Sequence, residues 1–215
     1  MSETGESRSP GDSIRTFVCI EIPERVRERI AELQRGLSRT DAQVSWTRPS
    51  NIHLTLKFLG DVTRPRIERV TRAVELAASS LAPFEVEVGG TGCFPSPRSP
   101  RVLWIGLTGL PDLLKQLHAK IEDELYDEGF PRESKRFSPH LTIGRLRVAR
   151  CPFPGSGNAS RNASRLAEEL LATGFEPEKF LAREVIVMRS ELKPTGSVYT
   201  PQATIRLSHP IAVCD

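Results

Sequence analysis

The sequence predicts an α+β fold. Stretches with apolar residues at helical spacing are mixed with stretches of strand alternation, without the regular β-α-β succession of a doubly wound sheet. A strand motif, HLTL at 53–56, returns as HLTI at 140–143, each copy after its own helix–strand stretch. That is the pattern of an internal duplication with pseudo-two-fold symmetry.

Taken in order, residues 1–13 read as a flexible tail, and 14–215 as a single domain. Residues 14–20 alternate and are β-rich, a strand ended by Pro23. Val26, Ile30, Leu33 and Leu37 set a helix over 24–37. A short strand at 44–46 and a Pro-Ser-Asn turn lead to a strand over 52–59 ending at Gly60. Ile67, Val70, Val74 and Leu81 share one stripe of a helix over 65–81, and 84–88 alternates as a strand. The run GGTGCFPSPRSP at 89–100 reads as a connection, followed by a buried strand over 102–107. Leu113, Leu114, Leu117, Ile121 and Leu125 mark a helix over 111–128, then come a basic loop over 131–139 and a strand over 140–146. A loop at 152–160, a helix at 161–172 and two strands at 180–188 and 198–207 complete the chain.

Composition narrows the function classes. The chain has 215 residues, 38% of them hydrophobic, enough for one sizeable domain or two small lobes sharing a core. A net charge of +3 suits an anionic partner without requiring one. No apolar run approaches the length of a membrane span. The N-terminus is rich in Ser, Glu and Gly and has no apolar stretch, so no secretory leader and a cytoplasmic protein are expected. Cys19, Cys93, Cys151 and Cys214 form no CxxC pair and have no His at ligand spacing, so free thiols are expected rather than disulfides or a structural metal.

The repeated motif supplies the chemistry. Each copy follows a turn containing Pro and Ser, is preceded by an arginine (Arg48 or Arg136) and is followed by a glycine (Gly60 or Gly144). On a strand, residues i and i+2 share a face, so His and Thr point one way while Leu and Leu/Ile point into the core. Two such strands side by side present two imidazoles and two hydroxyls to one cleft. An imidazole titrates near pH 6.5, so one can act as acid while the other acts as base. Hydroxyls can hold phosphate oxygens without adding charge. One imidazole deprotonates an attacking water and the other protonates the leaving oxygen. A strained cyclic phosphate needs no metal or other cofactor for this, and two His-x-Thr pairs lack a third metal ligand at a recognisable spacing. A lone His or Thr on a strand is ordinarily structural; a matched pair in matched context is not. His118 lies within a helix and His209 after the last strand, both without a catalytic reading.

The two HxTx motifs resemble the signature of the two-histidine (2H) phosphoesterases. The chain most resembles the LigT-like RNA 2′,3′-cyclic phosphodiesterases, also called 2′-5′ RNA ligases. The likeness runs from about Arg15 to Leu207. It includes Thr16-Phe17-Val18, Val44-Ser45-Trp46, Lys57-Phe58-Leu59-Gly60 and Phe94-Pro95-Ser96-Pro97-Arg98. Arg101-Val102-Leu103-Trp104, Gly144-Arg145, Arg189-Ser190-Glu191-Leu192 and Val198-Tyr199 belong to it too. The resemblance implies a bilobal fold of two pseudo-symmetric lobes, each an antiparallel sheet with helices, and an HxTx strand from each lining a central cleft. It implies hydrolysis of an RNA 2′,3′-cyclic phosphate to a 2′-phosphomonoester, and reversible 2′-5′ ligation of tRNA halves. A monomer is expected. By position, His53 would be the proton donor to the leaving oxygen and His140 the proton acceptor, with Thr55 and Thr142 on the phosphate oxygens.

Arg145 is a candidate phosphate clamp, provided a bulge at Gly144 turns it inward. Phe17 and Tyr199 are candidates to wall the cleft and stack on a base. Arg48, Lys57, Arg101 and Arg136 could form a basic rim. The stretch 151–180 reads as an insertion able to shape the cleft mouth. The competing readings are a 2H enzyme acting on a small cyclic nucleotide or a 2′-5′ oligonucleotide, an RNA-binding module without turnover, and a metal-dependent phosphodiesterase.

Overall fold

The alternating run from Ser13 and the apolar stripe after Pro23 become a strand and a helix, β1 (Ser13–Glu21) and α1 (Glu24–Leu37), with Val26, Ile30 and Leu37 buried. They belong to a computed structural model that describes residues 13–147, 157–194 and 196–208. After β2 (Val44–Trp46) and a 3-10 turn at Pro49–Asn51 come β3 (His53–Thr63), α2 (Arg64–Ser79), β4 (Phe84–Phe94) and β5 (Val102–Leu107). Then follow α3 (Asp112–Asp127), β6 (Leu141–Leu146), α4 (Gly157–Thr173), β7 (Glu178–Ala182), β8 (Glu184–Lys193) and β9 (Gly196–Arg206).

The strands form one antiparallel sheet in the order β7-β4-β5-β6-β3-β1-β8-β9, with β2 added to β6. Outward from the seam between β6 and β3, β5 matches β1, β4 matches β8 and β7 matches β9. β1, β3, β8 and β9, from the two ends of the chain, therefore build one lobe, and β4 to β7, from its middle, build the other. The helices cross over. α3, which follows β5, packs with α2 against β3 of the other lobe. α1, which follows β1, reaches the β6–β7 lobe, where Arg29 pairs with Glu178 at 2.6 Å and Gln34 Nε2 donates to the Ile143 carbonyl at 2.8 Å. Apolar side chains from sheet and helices fill the space between; on α3, Leu114, Leu117, Ile121 and Leu125 are fully buried, each worth about 1.5–3 kcal/mol.

Several sequence expectations change. Ser13 already belongs to β1, so it is not tail. β3 does not stop at Gly60: that glycine takes φ of 70° where β1 and β3 slip register, and pairing resumes to Thr63. The run 89–100 is strand as far as Phe94, because its glycines admit packing rather than turns. A Cβ at Gly92 would overlap the Trp104 indole, and one at Gly89 would overlap Thr108. The 180–188 strand is two strands, broken at Arg183. Helix α4 begins at Gly157 and is the counterpart of α2, so this part of the 151–180 stretch is a regular element of the second lobe. It packs on β4, away from the cleft described below. Residues 1–12, Cys151, Cys214 and His209 lie outside the described residues, and Cys19 and Cys93 are free and buried.

Lys57 is not on a basic rim. It is 1% exposed, and its ammonium donates to Glu122 Oε1 at 2.7 Å and to the Pro131 carbonyl at 2.9 Å. The other carboxylate oxygen of Glu122 accepts the Glu133 amide at 3.1 Å. This pair ties β3 to α3 and to the loop leading into β6. His118 sits at its edge, stacked on Phe137 at 3.8 Å, and burial lowers its pKa. Removing one partner of a buried pair strands the other charge, which typically costs about 3–5 kcal/mol. Lys57→Met should cost that much in urea unfolding, and Lys57→Met with Glu122→Leu should recover most of it.

Candidate active site

The single register pair joining β3 to β6 is Leu54 with Leu141, both fully buried. In that register His53 stands across from Thr142 and Thr55 across from His140, all four on the opposite face from the core. Diagonal neighbours on such a face, as His53 and His140 are, lie about 7–8 Å apart.

Each motif is followed by the same irregularity. Opposite β1, Thr55 pairs with Cys19 and Lys57 with Val18, which leaves Leu56 unmatched. Opposite β5, Thr142 pairs with Trp104 and Gly144 with Leu103, which leaves Ile143 unmatched. Two consecutive buried residues follow each threonine, and the next residue, Phe58 or Arg145, returns to the cleft face. The bulge that turns Arg145 inward therefore falls at Ile143, one residue before the glycine. Gly144 serves another purpose, since a Cβ there would come within 3.0 Å of Trp46 on β2. Gln34 and the Thr47 amide both donate to the Ile143 carbonyl and hold the bulge.

The central cleft encloses about 500 Å³ and is walled by His53, Thr55, Thr142, Arg145, Phe58 and Tyr199. His140 borders the neighbouring depression of about 410 Å³, together with Arg136 and Trp104. Four of the proposed phosphate and proton-transfer residues thus share one cavity and His140 opens onto the next. Both imidazoles are held alike. His53 Nδ1 lies 2.9 Å from the Asn51 carbonyl and His140 Nδ1 lies 2.7 Å from the Ser138 carbonyl, each two residues upstream. A carbonyl only accepts, so Nδ1 carries hydrogen in both rings and Nε2 is the nitrogen left for proton transfer.

The surroundings of the two rings differ. His53 stacks on Phe17 at 4.6 Å and meets the edge of Tyr199 at 5.3 Å. Burial lowers its pKa to about 4, against the smaller opposing effect of the Asn51 hydrogen bond. Phe17 is 3% exposed, so its ring serves the imidazole and is not open to a base. Tyr199 keeps part of its ring in the cleft. Asn51 also donates to the Ser197 carbonyl at 2.7 Å, fastening the turn before His53 to β9. Arg48 lies beside His53 in an adjoining pocket, and Arg101, though exposed, lines none of these cavities. Sequence reasoning missed Arg15, which lines the cleft from β1, and Phe58, 60% exposed there. An apolar residue where the alternation breaks was the available signal for Phe58. Among the described residues no cluster of His, Cys, Asp or Glu could hold a metal ion, and no helix is long and apolar enough to cross a membrane.

The model of the family described as LigT like phosphoesterase matches the chain twice, over residues 20–104 and 105–199. The chain is a LigT-like phosphoesterase. The two matches divide within β5, and each contains one of the two motifs. The phosphoesterase is 33% identical over 195 residues to the RNA 2′,3′-cyclic phosphodiesterase of Methanothermobacter thermautotrophicus, covering 90% of this chain and 99% of that one. It is 31% identical over 186 residues to the protein of the same name from Thermotoga maritima, covering 86% and 91%. A crystal structure of E. coli LigT complexed with 3′-AMP shares the fold, with a TM-score of 0.67 at 21% identity over 93% of this chain and 100% of that one. A crystal structure of a Thermus thermophilus protein does likewise, at 0.70 and 24% identity over 91% and 99%.

The burial of His53 has a sign. A folded pKa below the unfolded 6.5 means that protons favour the unfolded chain as pH falls from 6.5 toward 4, a loss of roughly 3 kcal/mol of stability across that window. Followed by NMR, the His53 ring should titrate near pH 4, and Phe17→Ala should move its midpoint up toward 6.5.

Proposed function

We propose that this phosphoesterase hydrolyses a 2′,3′-cyclic phosphate at the 3′ end of RNA to a 2′-phosphomonoester, using His53 and His140 as an acid/base pair without a metal. The observation that supports this most is the shared posture of the two imidazoles, each with Nδ1 bound to a carbonyl and Nε2 left over, on diagonal positions across the Leu54–Leu141 pair. His140 Nε2 takes the proton of the attacking water as its oxygen bonds to phosphorus. The P–O3′ bond breaks, and His53 Nε2–H protonates the departing 3′ oxygen. Thr55 and Thr142 donate to the non-bridging oxygens, and Arg145 faces their charge. His53 must be protonated for this, which burial opposes in the empty cleft. A phosphodiester anion in the cleft favours the imidazolium and restores the proton.

A ribose hydroxyl in place of water gives reversible 2′-5′ ligation, with tRNA halves as substrates. The names of the relatives from Methanothermobacter and Thermotoga favour RNA over a small cyclic nucleotide. So do Arg15 and Arg145 on the cleft wall. We place the activity in the cytoplasm, in a monomeric, single-domain chain.

An RNA oligomer ending in a 2′,3′-cyclic phosphate should be converted to the 2′-phosphate with EDTA present, and not at all by His140→Ala. Thr55→Ala and Thr142→Ala should each slow kcat by about 10²–10³-fold. An inactive wild type overturns the substrate assignment. Activity that chelator abolishes overturns the metal-free mechanism. The pH profile should be a bell. Free His53 loses its proton as pH rises through about 4, which lowers kcat/KM above that pH, and in kcat this loss should move toward neutrality as bound phosphate stabilises the imidazolium.

A further inference from the structure

The duplicated halves of the sheet differ most where they should match, on the cleft face beneath the two histidines. On the His53 side these positions are Cys19, Ile186 and Met188, closely packed with Phe17 into a small apolar cluster. On the His140 side the equivalent positions are Trp104, Gly92 and Phe94, from the matching registers of β1 with β8 and β5 with β4. The indole of Trp104 lies over Gly92, where any side chain would collide with it, and Gly106 flanks it, a Cβ there coming within 3.2 Å of the ring. The remaining surface of the indole borders the depression of about 410 Å³ beside His140, within the usual range of small-molecule sites. Phe94 and Phe137 form further wall, and Arg136 stands exposed at its rim.

Neither Trp104 nor Phe94 is fully buried, and neither belongs to the main core. The indole Nε1–H has no hydrogen-bond partner among the described residues. His140 meets the edge of Phe94 at 5.2 Å and lies 6.3 Å from Trp104, so the depression is continuous with the catalytic centre. The facing pocket at His53 offers no comparable platform: Glu21 and Arg48 line it, and Tyr199 is turned edge-on to the imidazole.

We propose that the Trp104 pocket holds the nucleobase of the nucleotide that carries the cyclic phosphate, stacked on the indole, with Arg136 facing the RNA backbone. An aromatic platform accepts any base, and a guanidinium beside it suits a phosphate. The phosphate itself stays in the central cleft. The pocket thus sets affinity for a nucleotide rather than for a bare cyclic phosphate. It rests on the proposed RNA activity only for the identity of the full substrate.

The test uses the full chain, whose two tryptophans are Trp46 and Trp104. Titration with 2′-AMP should quench the fluorescence of the wild type and leave Trp104→Phe unchanged, while a baseless methyl riboside 2-phosphate should quench neither. Stacking is worth between about 5- and 150-fold in affinity, so Trp104→Leu should raise KM for the RNA end by that factor with kcat unchanged. Trp104→Phe should restore most of the loss, and KM for a baseless 2,3-cyclic phosphate should be the same in all three. Arg136→Ala, an exposed change that leaves the core intact, should raise KM for RNA and flatten its salt dependence. Quenching that persists in Trp104→Phe, or an unchanged KM in Trp104→Leu, overturns the pocket. A wild type that fails on RNA ends while 2′-AMP still quenches Trp104 removes the proposed RNA activity and supports the pocket.

Discussion

Among the described residues, Leu54 against Leu141 is the one register pair that joins β3 to β6, and the candidate active site depends on it. Both side chains are fully buried, which fixes which face each strand turns outward. A slip of one residue would send both histidines into the core and both leucines into the cleft. The helices guard this register from behind. Each half lends a helix to the other lobe, so that α1 is bonded to β6 through Gln34 and α3 to β3 through Glu122. The seam is narrow, and the crossed helices keep the lobes from parting.

The bulges after Thr55 and Thr142 are the second constraint. A regular strand would put Arg145 on the far side of the sheet from Thr142. One extra residue, Ile143, brings guanidinium and hydroxyl to the same wall. The other half makes the same bulge at Leu56 and delivers a phenyl ring, Phe58, to the same wall. The residue before each of these also diverges. It is Lys57 in one half, anchored to Glu122, and Gly144 in the other, leaving room for Trp46. The two frames are alike, and what each bulge delivers differs: a guanidinium in one, a phenyl ring in the other.

Much of this was legible in the sequence. Helical stripes located α1, α2 and α3 because their apolar residues recur at the spacing of one helix face. The two HLT motifs stood out because their contexts match as well as their letters. What failed has a common physical cause. Glycines at 89, 92 and 60 read as breaks in the chain, whereas two of them make room for a neighbouring side chain and the third sits in a bulge. Lys57 read as a surface cation because no local pattern reveals a carboxylate 65 residues away. The Trp104 pocket was invisible for the same reason: β4, β5 and the loop before β6 meet only in three dimensions. Phe17 was expected to stack on a base, whereas its ring is stacked on the imidazole of His53.

The proposed acid/base pair requires two imidazoles on diagonal positions to act on one phosphorus. The most direct measurement is a crystal structure of the protein with a pentavalent vanadate adduct of a nucleoside bound in the cleft. His53 Nε2 and His140 Nε2 should be hydrogen-bonded to the two apical oxygens of a single vanadium, with Thr55 and Thr142 on the equatorial oxygens. A vanadate held by one histidine alone, with the other ring turned away, would contradict the proposed pair.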